Sequence, residues 1–361
     1  MGKKLFDYVI GNPPYQKEAQ ESVSKTNKQK PMTNIFQYFQ EMADDITAKG
    51  AVLIYPGGRW IHQSGKGMKA FGKKQINDKA LSIVEFYPDA SELFGDAASL
   101  ADGITIVVKN YSKTSDGFTY IYSQKGDKFS VHANNPGDKL LPLDPHDLPL
   151  DQKIDAVTAQ NGWEMLHDSI LPRTLFSIDS DFVEKNPDKV RKYNEEESID
   201  YSKEIKLFTN DKAGKAGRAT WFVANKDVIE KNPELIHEWQ VVVSSANAGG
   251  QKRDNQLEII NNHSAFGRSR LALKSFKTED EAINFYKYVS SYFIRYTFLL
   301  TDEALTSLGK AVPDIGTYKS DNAIVDFDDN IDAQLCRIFN ISDSEFDYIK
   351  QKVDGLRGKK A

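Results

Sequence analysis

The run Leu5-Phe-Asp-Tyr-Val-Ile10, closed by Gly11 and followed by Asn12-Pro13-Pro14-Tyr15, restricts the fold more than any other stretch of this chain. A short apolar run bounded by a turn signal is the pattern of a buried strand. Proline donates no ladder hydrogen bond and biases the residue before it away from helix, so the strand must stop at Gly11 or Asn12. The chain then leaves the strand's carboxyl end through a stiff loop poor in donors. A strand this apolar belongs in the middle of a sheet, covered on both faces.

The residues after Tyr15 fit such a sheet. Residues 16–32 are polar and rich in Lys, Gln and Ser, the composition of a long loop. Ile35, Phe36, Phe39, Met42, Ala43 and Ile46 have helical spacing, and Lys49-Gly50 closes a helix over 34–48. Ala51–Tyr55 reads as a second buried strand stopped by Pro56-Gly57-Gly58, residues 64–79 contain a helix, and 80–87 and 104–109 are two more strands. This order predicts an α/β fold, a partial Rossmann-like sheet whose last two strands pair antiparallel at its edge because no helix joins them. So few strands leave the run 5–10 without a neighbour on one side, and a covering segment is expected from outside these elements.

Beyond residue 115 the pattern changes, giving expected domains of 1–115 and 116–361. Residues 118–123 and 128–132 form a hairpin around Gly126-Asp127. Residues 135–150 read as a linker, Val241–Val243 as a strand, 279–298 as one aromatic-rich helix and 343–354 as a terminal helix. The second domain is therefore expected to be α+β.

Composition narrows the class without choosing a function. Of 361 residues, 40% are hydrophobic and 27% charged, as in folded globular chains. The single cysteine, Cys336, can form no internal disulfide and no Cys-rich metal site; it is expected to be buried and inert, in a cytoplasmic protein. No apolar run is long enough to span a bilayer, Met1-Gly2-Lys3-Lys4 lacks a signal core, and Phe6 stands where a myristoylation signal needs Ser or Thr. The formal net charge of −5 decides nothing about nucleic acid, because 47 Lys and Arg can still form a local basic surface.

Asn-Pro-Pro-Tyr at a strand's carboxyl end suits methyl transfer to a planar amino nitrogen. The lone pair of such a nitrogen is delocalised into its ring, so it attacks poorly. Two acceptors on its hydrogens, the Asn12 side-chain oxygen and the Pro13 carbonyl, draw it toward tetrahedral geometry. Pro13 and Pro14 keep those acceptors aimed, and Tyr15 offers a face on which the base can stack. Alone, the tetrapeptide could be a plain turn; the strand before it argues against that.

Residues 5–15 resemble the catalytic motif of the amino-methyltransferases of restriction–modification systems, specifically adenine-N6 enzymes with a target recognition domain after the catalytic one. Residues 50–56 resemble the next strand of that fold, and Glu92-Leu93-Phe94-Gly95 a later motif. The resemblance implies that Phe94 packs on the far face of a flipped adenine, opposite Tyr15. It implies double-stranded DNA as substrate and S-adenosylmethionine as methyl donor, with residues from about 116 onward choosing the sequence. The donor's Gly-rich motif should precede the Asn-Pro-Pro-Tyr strand, and it does not occur there. Ala265-Phe-Gly-Arg-Ser-Arg270 and Asn247-Ala-Gly-Gly250 come nearest and lack a strand–turn–helix setting. A missing or separate S-adenosylmethionine-binding segment is therefore expected, the chain being a truncation, a split subunit that needs a partner subunit, or a degenerate relic, and a cognate restriction endonuclease is a further expected partner.

For DNA contact, the cationic candidates are Lys25, Lys28 and Lys30 after the catalytic loop, Lys212, Lys215 and Arg218 in a Gly-punctuated stretch, Lys252 with Arg253, and Arg268 with Arg270. Asp181 with Glu204-Ile-Lys206 is the nearest match to a metal-dependent nuclease, a pattern common by chance. No metal site is expected, and His237 and His263 read as structural or surface groups. Two alternatives stay open: a DNA-recognition subunit without activity of its own, and a methyltransferase acting on a protein glutamine amide. The long chain beyond the sheet argues against the second.

Overall fold

In the computed structural model, which describes residues 4–18, 32–63, 67–95, 100, 102–214, 217–245, 257–301 and 305–357, the chain divides into a first unit, Met1–Pro149, and a second, Leu150–Ala361. The first contains β1 (Phe6–Gly11), β2 (Gln16–Glu18), β3 (Met32–Asn34), α1 (Phe36–Ile46), β4 (Thr47–Pro56), α2 (Met68–Ile76), β5 (Leu81–Tyr87), α3 (Ser91–Phe94), β6 (Ile104–Asn110), β7 (Phe118–Gln124) and β8 (Asp127–Ala133).

One mixed sheet has the order β1-β4-β6-β5-β7-β8. β1 runs parallel to β4 and β5 parallel to β7, whereas β6 is antiparallel to both of its neighbours. This is the α/β, partial Rossmann-like sheet that the element order predicts. Three details differ. β6 lies between β4 and β5 instead of at the edge. The β7–β8 hairpin extends the same sheet through the pairing Ile83↔Thr119, so the first unit runs to 149 and not to 115. Residues 135–149 pack instead of linking: Leu141 and Leu148 are buried in the first core, and the Tyr120 hydroxyl donates to Pro142 and Leu143 carbonyls at 2.9 Å. The hairpin turn itself needs Lys125 and Gly126, both at positive φ, as a tight two-residue connection requires.

β1 departs furthest from expectation. It is an edge strand, and Tyr8 and Ile10 are 64% and 79% exposed. Val9, aligned with Ala51, packs on the core that α1 and α2 cover. Tyr8 and Ile10 face the opposite way, in register with Gly50 and Val52. Val52 is aligned in turn with Val108, and both are only half-buried, so an apolar strip crosses this face of the sheet.

A polar network ties α1 to the sheet. Lys109 Nζ, fully shut off from solvent, donates to both Asp44 oxygens at 3.0 Å and to Asp78 at 2.6 Å. Tyr111 and Gln40 each donate to Asp44 at 2.7 Å, and the Tyr55 hydroxyl donates to Gln40 at 2.6 Å. Helix α1, strands β4 and β6 and the turn before β5 thus share one buried cation.

The second unit holds α4 (Leu148–Gln160, which begins in the first), β9 (Glu164–Met165), α5 (Phe182–Lys185), β10 (Val190–Lys192), β11 (Glu204–Asn210), β12 (Ala219–Asn225), β13 (Trp239–Ser244), β14 (Glu258–Ile260), β15 (Ser264–Phe266), β16 (Arg270–Phe276), α6 (Glu279–Ser290), α7 (Tyr292–Leu299), β17 (Pro313–Asp314), α8 (Ile331–Ile338) and α9 (Asp343–Arg357). It is α+β, with sheets ordered β10-β12-β11-β15 and β14-β13-β16. β13 sits between two cores: Val241 and Val243 pack with the helices α6 to α9, and Val242 packs with β11 and β15. The expected helix over 279–298 is two helices. Ser291 takes an extended backbone and its hydroxyl accepts from Ile294 N–H, capping α7 where α6 ends.

Lys109→Ala would leave two desolvated carboxylates facing each other, which costs about 3–5 kcal/mol. Burial raises the Asp78 carboxyl, but its hydrogen bonds with Lys109 and Ala80 N–H outweigh that and hold it below the usual value of 3.8. A carboxyl depressed in the folded state stabilises above its unfolded pKa and loses that contribution as pH falls through the folded one. Urea unfolding should therefore show the Lys109→Ala deficit at neutral pH, shrinking in acid. A deficit under about 1 kcal/mol at pH 7 would show that the buried pair is not what holds α1.

Candidate active site

Asn12-Pro13-Pro14-Tyr15 is anchored at both ends. Behind it, Gly11 is aligned with Leu53 on β4. Ahead, the Tyr15 carbonyl accepts from Ile35 N–H at 2.9 Å, Gln16 pairs with Asn34 across the β2–β3 hairpin, and their side chains bond at 3.0 Å. Asn12 is exposed, Pro13 buried and Pro14 exposed, so the side-chain acceptor is open and the loop is held from beneath. The Tyr15 ring packs at the margin of the first core. Burial pushes its hydroxyl above its ordinary pKa, so it stays neutral at physiological pH, and it has no hydrogen-bond partner among the described residues. Ligands in open α/β sheets bind beyond the carboxyl ends of strands, which is where this loop lies.

A cavity of about 620 Å³ opens beside Tyr15, lined by that residue, Gln37, Arg59, Trp60, Met68 and Asp102 among others. Its wall depends on the turn after β4. Gly57 has φ +63°, and a Cβ there would meet Asp102 Cβ and O at 2.9 Å. Gly57 N–H donates to the Gly103 carbonyl at 2.8 Å, and the Gly57 carbonyl accepts from Thr105 at 2.5 Å. Trp60 is wholly buried behind it and donates its indole N–H to Thr105 at 3.3 Å. Arg59 projects at the rim, and its Nε lies 2.9 Å from an Asp102 carboxylate oxygen.

Phe94 is half-buried with Ile54 and Ile106 against Tyr87, Ala90 and Ile104, and it is not part of the cavity wall. Among the basic candidates, Lys25, Lys28, Lys30, Lys215, Lys252 and Arg253 lie outside the described residues. Lys212 and Arg218 are exposed on the β11–β12 connection, where Arg218 N–H donates to Asp211 at 2.8 Å. Arg268 is exposed and pairs with Asp179 at 3.2 Å. Arg270 is drawn inward: its guanidinium sits 5.1 Å over the Phe208 ring, and burial lowers its pKa against the pull of Glu258. The nuclease-like residues are engaged elsewhere. Glu204 chelates Arg191 at 2.6 and 3.1 Å, Lys206 lies over Tyr193 and Trp221 at 4.1 and 4.6 Å, and Asp181 pairs with Lys185 at 2.7 Å. No cluster of three or more metal-ligating side chains occurs among the described residues. Nor, among them, is any helix long and apolar enough to cross a membrane. Cys336 is half-buried, and burial with nearby Asp332, Asp343 and Glu345 pushes its thiol up to about 11, leaving it unreactive.

The one described Gly-containing candidate does not form a turn for S-adenosylmethionine. Gly267, in the better of the two Gly-containing stretches, joins β15 to β16, two strands with no helix, and a Cβ there would stand 2.0 Å from Thr209 Oγ1. The glycine serves close packing, not a cofactor turn. Asn247–Gly250 lies outside the described residues. Sequence reasoning missed Gln37 and Arg59. The signal for Arg59 was present, since Pro56-Gly57-Gly58 marks a tight turn at a strand's carboxyl end.

Residues 1–94 match the family described as Eco57I restriction-modification methylase. Over this segment the chain is similar to restriction–modification methylases. No curated protein matches it. Among solved structures, the type I restriction-modification methyltransferase subunit from Streptococcus thermophilus is 16% identical, with 36% of this chain and 29% of that one covered and a TM-score of 0.25. The type IIL restriction-modification enzyme MmeI in complex with DNA is 7% identical over 98% of this chain and 55% of that one, with a TM-score of 0.40. The type IIG restriction endonuclease BpuSI is 12% identical over 97% and 53%, with a TM-score of 0.34. The chain thus spans from under a third to about half of these structures' lengths.

Gly57→Ala should place a side chain in a left-handed backbone and against Asp102, costing about 1–2 kcal/mol. Urea unfolding of the variant measures this, and an unchanged midpoint would show that the turn can relax.

Proposed function

We propose that the first unit is the adenine-binding half of a DNA adenine-N6 methyltransferase of a restriction–modification system, and that the second unit recognises the DNA sequence. The observation that carries this reading is Asn12-Pro13-Pro14-Tyr15 held at the carboxyl end of β1, with Asn12 open, Pro13 buried and a cavity beside Tyr15. With an adenine flipped from the duplex, Asn12 Oδ1 and the Pro13 carbonyl would accept the two N6 hydrogens. That strips the amino group of its planarity and frees its lone pair to attack. Tyr15 would stack on one face of the ring; Phe94, packed outside the cavity against Tyr87, Ala90 and Ile104, would have to move to reach the other. No strong base is required in this chain, because the amino group sheds its proton only after it has attacked.

S-adenosylmethionine supplies the methyl group, and its binding half is proposed to come from a partner segment. The exposed edge of β1 supports this. A parallel strand is ordinarily paired on both sides and covered on both faces, and the strip through Tyr8, Ile10 and Val52 is apolar. That segment, whether on the same polypeptide or on a separate subunit, would add a strand to β1 and lay a helix over that strip. In the recognition unit, Lys212, Lys215, Arg218, Lys252, Arg253, Arg268 and Arg270 are the proposed contacts, with Lys25, Lys28 and Lys30 near the target strand. Lys212 and Arg218 are exposed, whereas Arg270 would have to unstack from Phe208.

With the partner segment present, Asn12→Ala should cut methylation by roughly 10²–10³-fold, the loss typical of one preorganised polar group in an active site. DNA affinity should be unchanged. Full methylation by the variant would remove the basis of this reading.

A further inference from the structure

The outer face of the β10-β12-β11 sheet holds a cation that has no counter-ion among the described residues. Lys206 and Phe208, alternate residues of β11, share one face, aligned with Val223 and Trp221 on β12. They belong to a continuous row. Lys206 Nζ lies 4.1 Å from the centre of the Tyr193 ring and 4.6 Å from that of Trp221. Trp221 packs on Phe208 at 4.9 Å, and the Arg270 guanidinium covers Phe208 at 5.1 Å. Arg191, on β10 and also aligned with Val223, is neutralised by Glu204 and Glu197. Lys206 Nζ, by contrast, makes no hydrogen bond and no ion pair among the described residues. Glu258 feels both Lys206 and Arg270, but burial raises its carboxyl above the usual value and makes it a poor counter-ion. A half-buried charge is costly without a partner, and two ring faces leave the N–H donors of the ammonium open.

We propose that Lys206 is an anchor for the DNA backbone, its ammonium fixed between Tyr193 and Trp221 to take one phosphate of the duplex on the outer face of this sheet. The inference rests on the reading of the second unit as the part that recognises DNA. The rings hold the lysine stem in place, so less side-chain entropy is lost when the phosphate arrives. Two observations favour a nucleic acid over an acidic peptide. Ring surface beside the cation can pack on the sugar next to a phosphate, and cations interleaved with aromatic side chains are the pattern of nucleic-acid surfaces. Exposed Lys212 and Arg218 also continue the positive charge beyond the ends of the same two strands. At about 3.4 Å per residue, Lys206 stands about 14 Å from Asn210 at the end of β11, a length that about four phosphates of one DNA strand span. A phosphate contact fixes the placement of the duplex and reads no base, so its effect is the same on any sequence.

Fluorescence anisotropy of a labelled duplex of arbitrary sequence, titrated with the full chain over a range of salt, tests this without knowledge of the target. The logarithm of the affinity falls linearly with that of the salt concentration, with a slope of about −0.9 for each phosphate neutralised. Lys206→Gln should make the slope shallower by about 0.9 and weaken binding roughly tenfold at low salt, whereas Lys206→Arg should keep both. Because Lys206 pairs with no carboxylate, its removal strands no charge and the fold should tolerate it; Lys206→Met, which also keeps the apolar stem on the rings, is the second variant. Lys192→Ala removes the same charge from the opposite face of β10 and should leave the slope unchanged. An unaltered slope in Lys206→Gln and Lys206→Met, or an equal loss in Lys192→Ala, would overturn the anchor and leave DNA recognition by this unit standing. A wild-type chain that binds no duplex would remove the recognition reading and the anchor with it. Polyglutamate bound as tightly as the duplex, with the same dependence on Lys206, would assign the site to an acidic protein and overturn the proposal.

Discussion

The parallel pairing of β1 with β4 sets the geometry of the candidate site. Its register, from Val9↔Ala51 to Gly11↔Leu53, brings the carboxyl ends of both strands to the same side of the sheet. Asn12-Pro13-Pro14-Tyr15 therefore emerges next to the Pro56-Gly57 turn, and one cavity takes its wall from both. A slip of one residue would turn Val9 out of the core and Tyr8 into it, so the buried face of β1 fixes where the acceptors stand. The same strand is paired on one side only. Its outer face carries the exposed Tyr8 and Ile10.

The Lys109 network gives that pairing its support. β4 is flanked by β1 and β6, and Lys109 on β6 fastens α1 over them through Asp44, while Tyr55 on β4 reaches the same helix through Gln40. Burying one ammonium between two carboxylates adds little net stability compared with an apolar core, but it admits only one placement of α1. Gln37 lies on that helix and Tyr15 just before the hairpin leading into it. The position of the cavity wall is thus set some distance from the cavity by a hydrogen-bonded charge cluster.

Much of this is legible in the sequence. The strands of the first sheet, α1, the β7–β8 hairpin and the terminal helix can be read from apolar spacing and turn residues. The course of the Asn12–Tyr15 loop is legible because prolines and a strand end leave few alternatives. What periodicity cannot reveal is pairing order. An apolar run such as 104–109 reads alike at an edge or in the middle, so sequence places β6 outside β5 and gives the hairpin that closes the sheet to the next domain. The break at Ser291 is hidden because Ser290-Ser291 sits within an unbroken aromatic pattern, and a hydroxyl that caps one helix ends the other. Lys109 looks like an ordinary strand-end charge, since its partners Asp44 and Asp78 come from elsewhere in the chain. Arg270 reads as a surface cation for the same reason: the Phe208 ring that takes it in lies far away in sequence.

In the proposed reading this chain holds the base-activating half of a methyltransferase, and the donor-binding half covers β1. Nucleoside analysis by mass spectrometry of DNA incubated with S-adenosylmethionine tests it directly. N6-methyladenine should form when the chain is combined with a polypeptide carrying the Gly-rich donor-binding motif, not with either alone, and Ile10→Lys on the exposed edge should prevent it. N4-methylcytosine as the product, or no methylated base from the combination, would contradict the account.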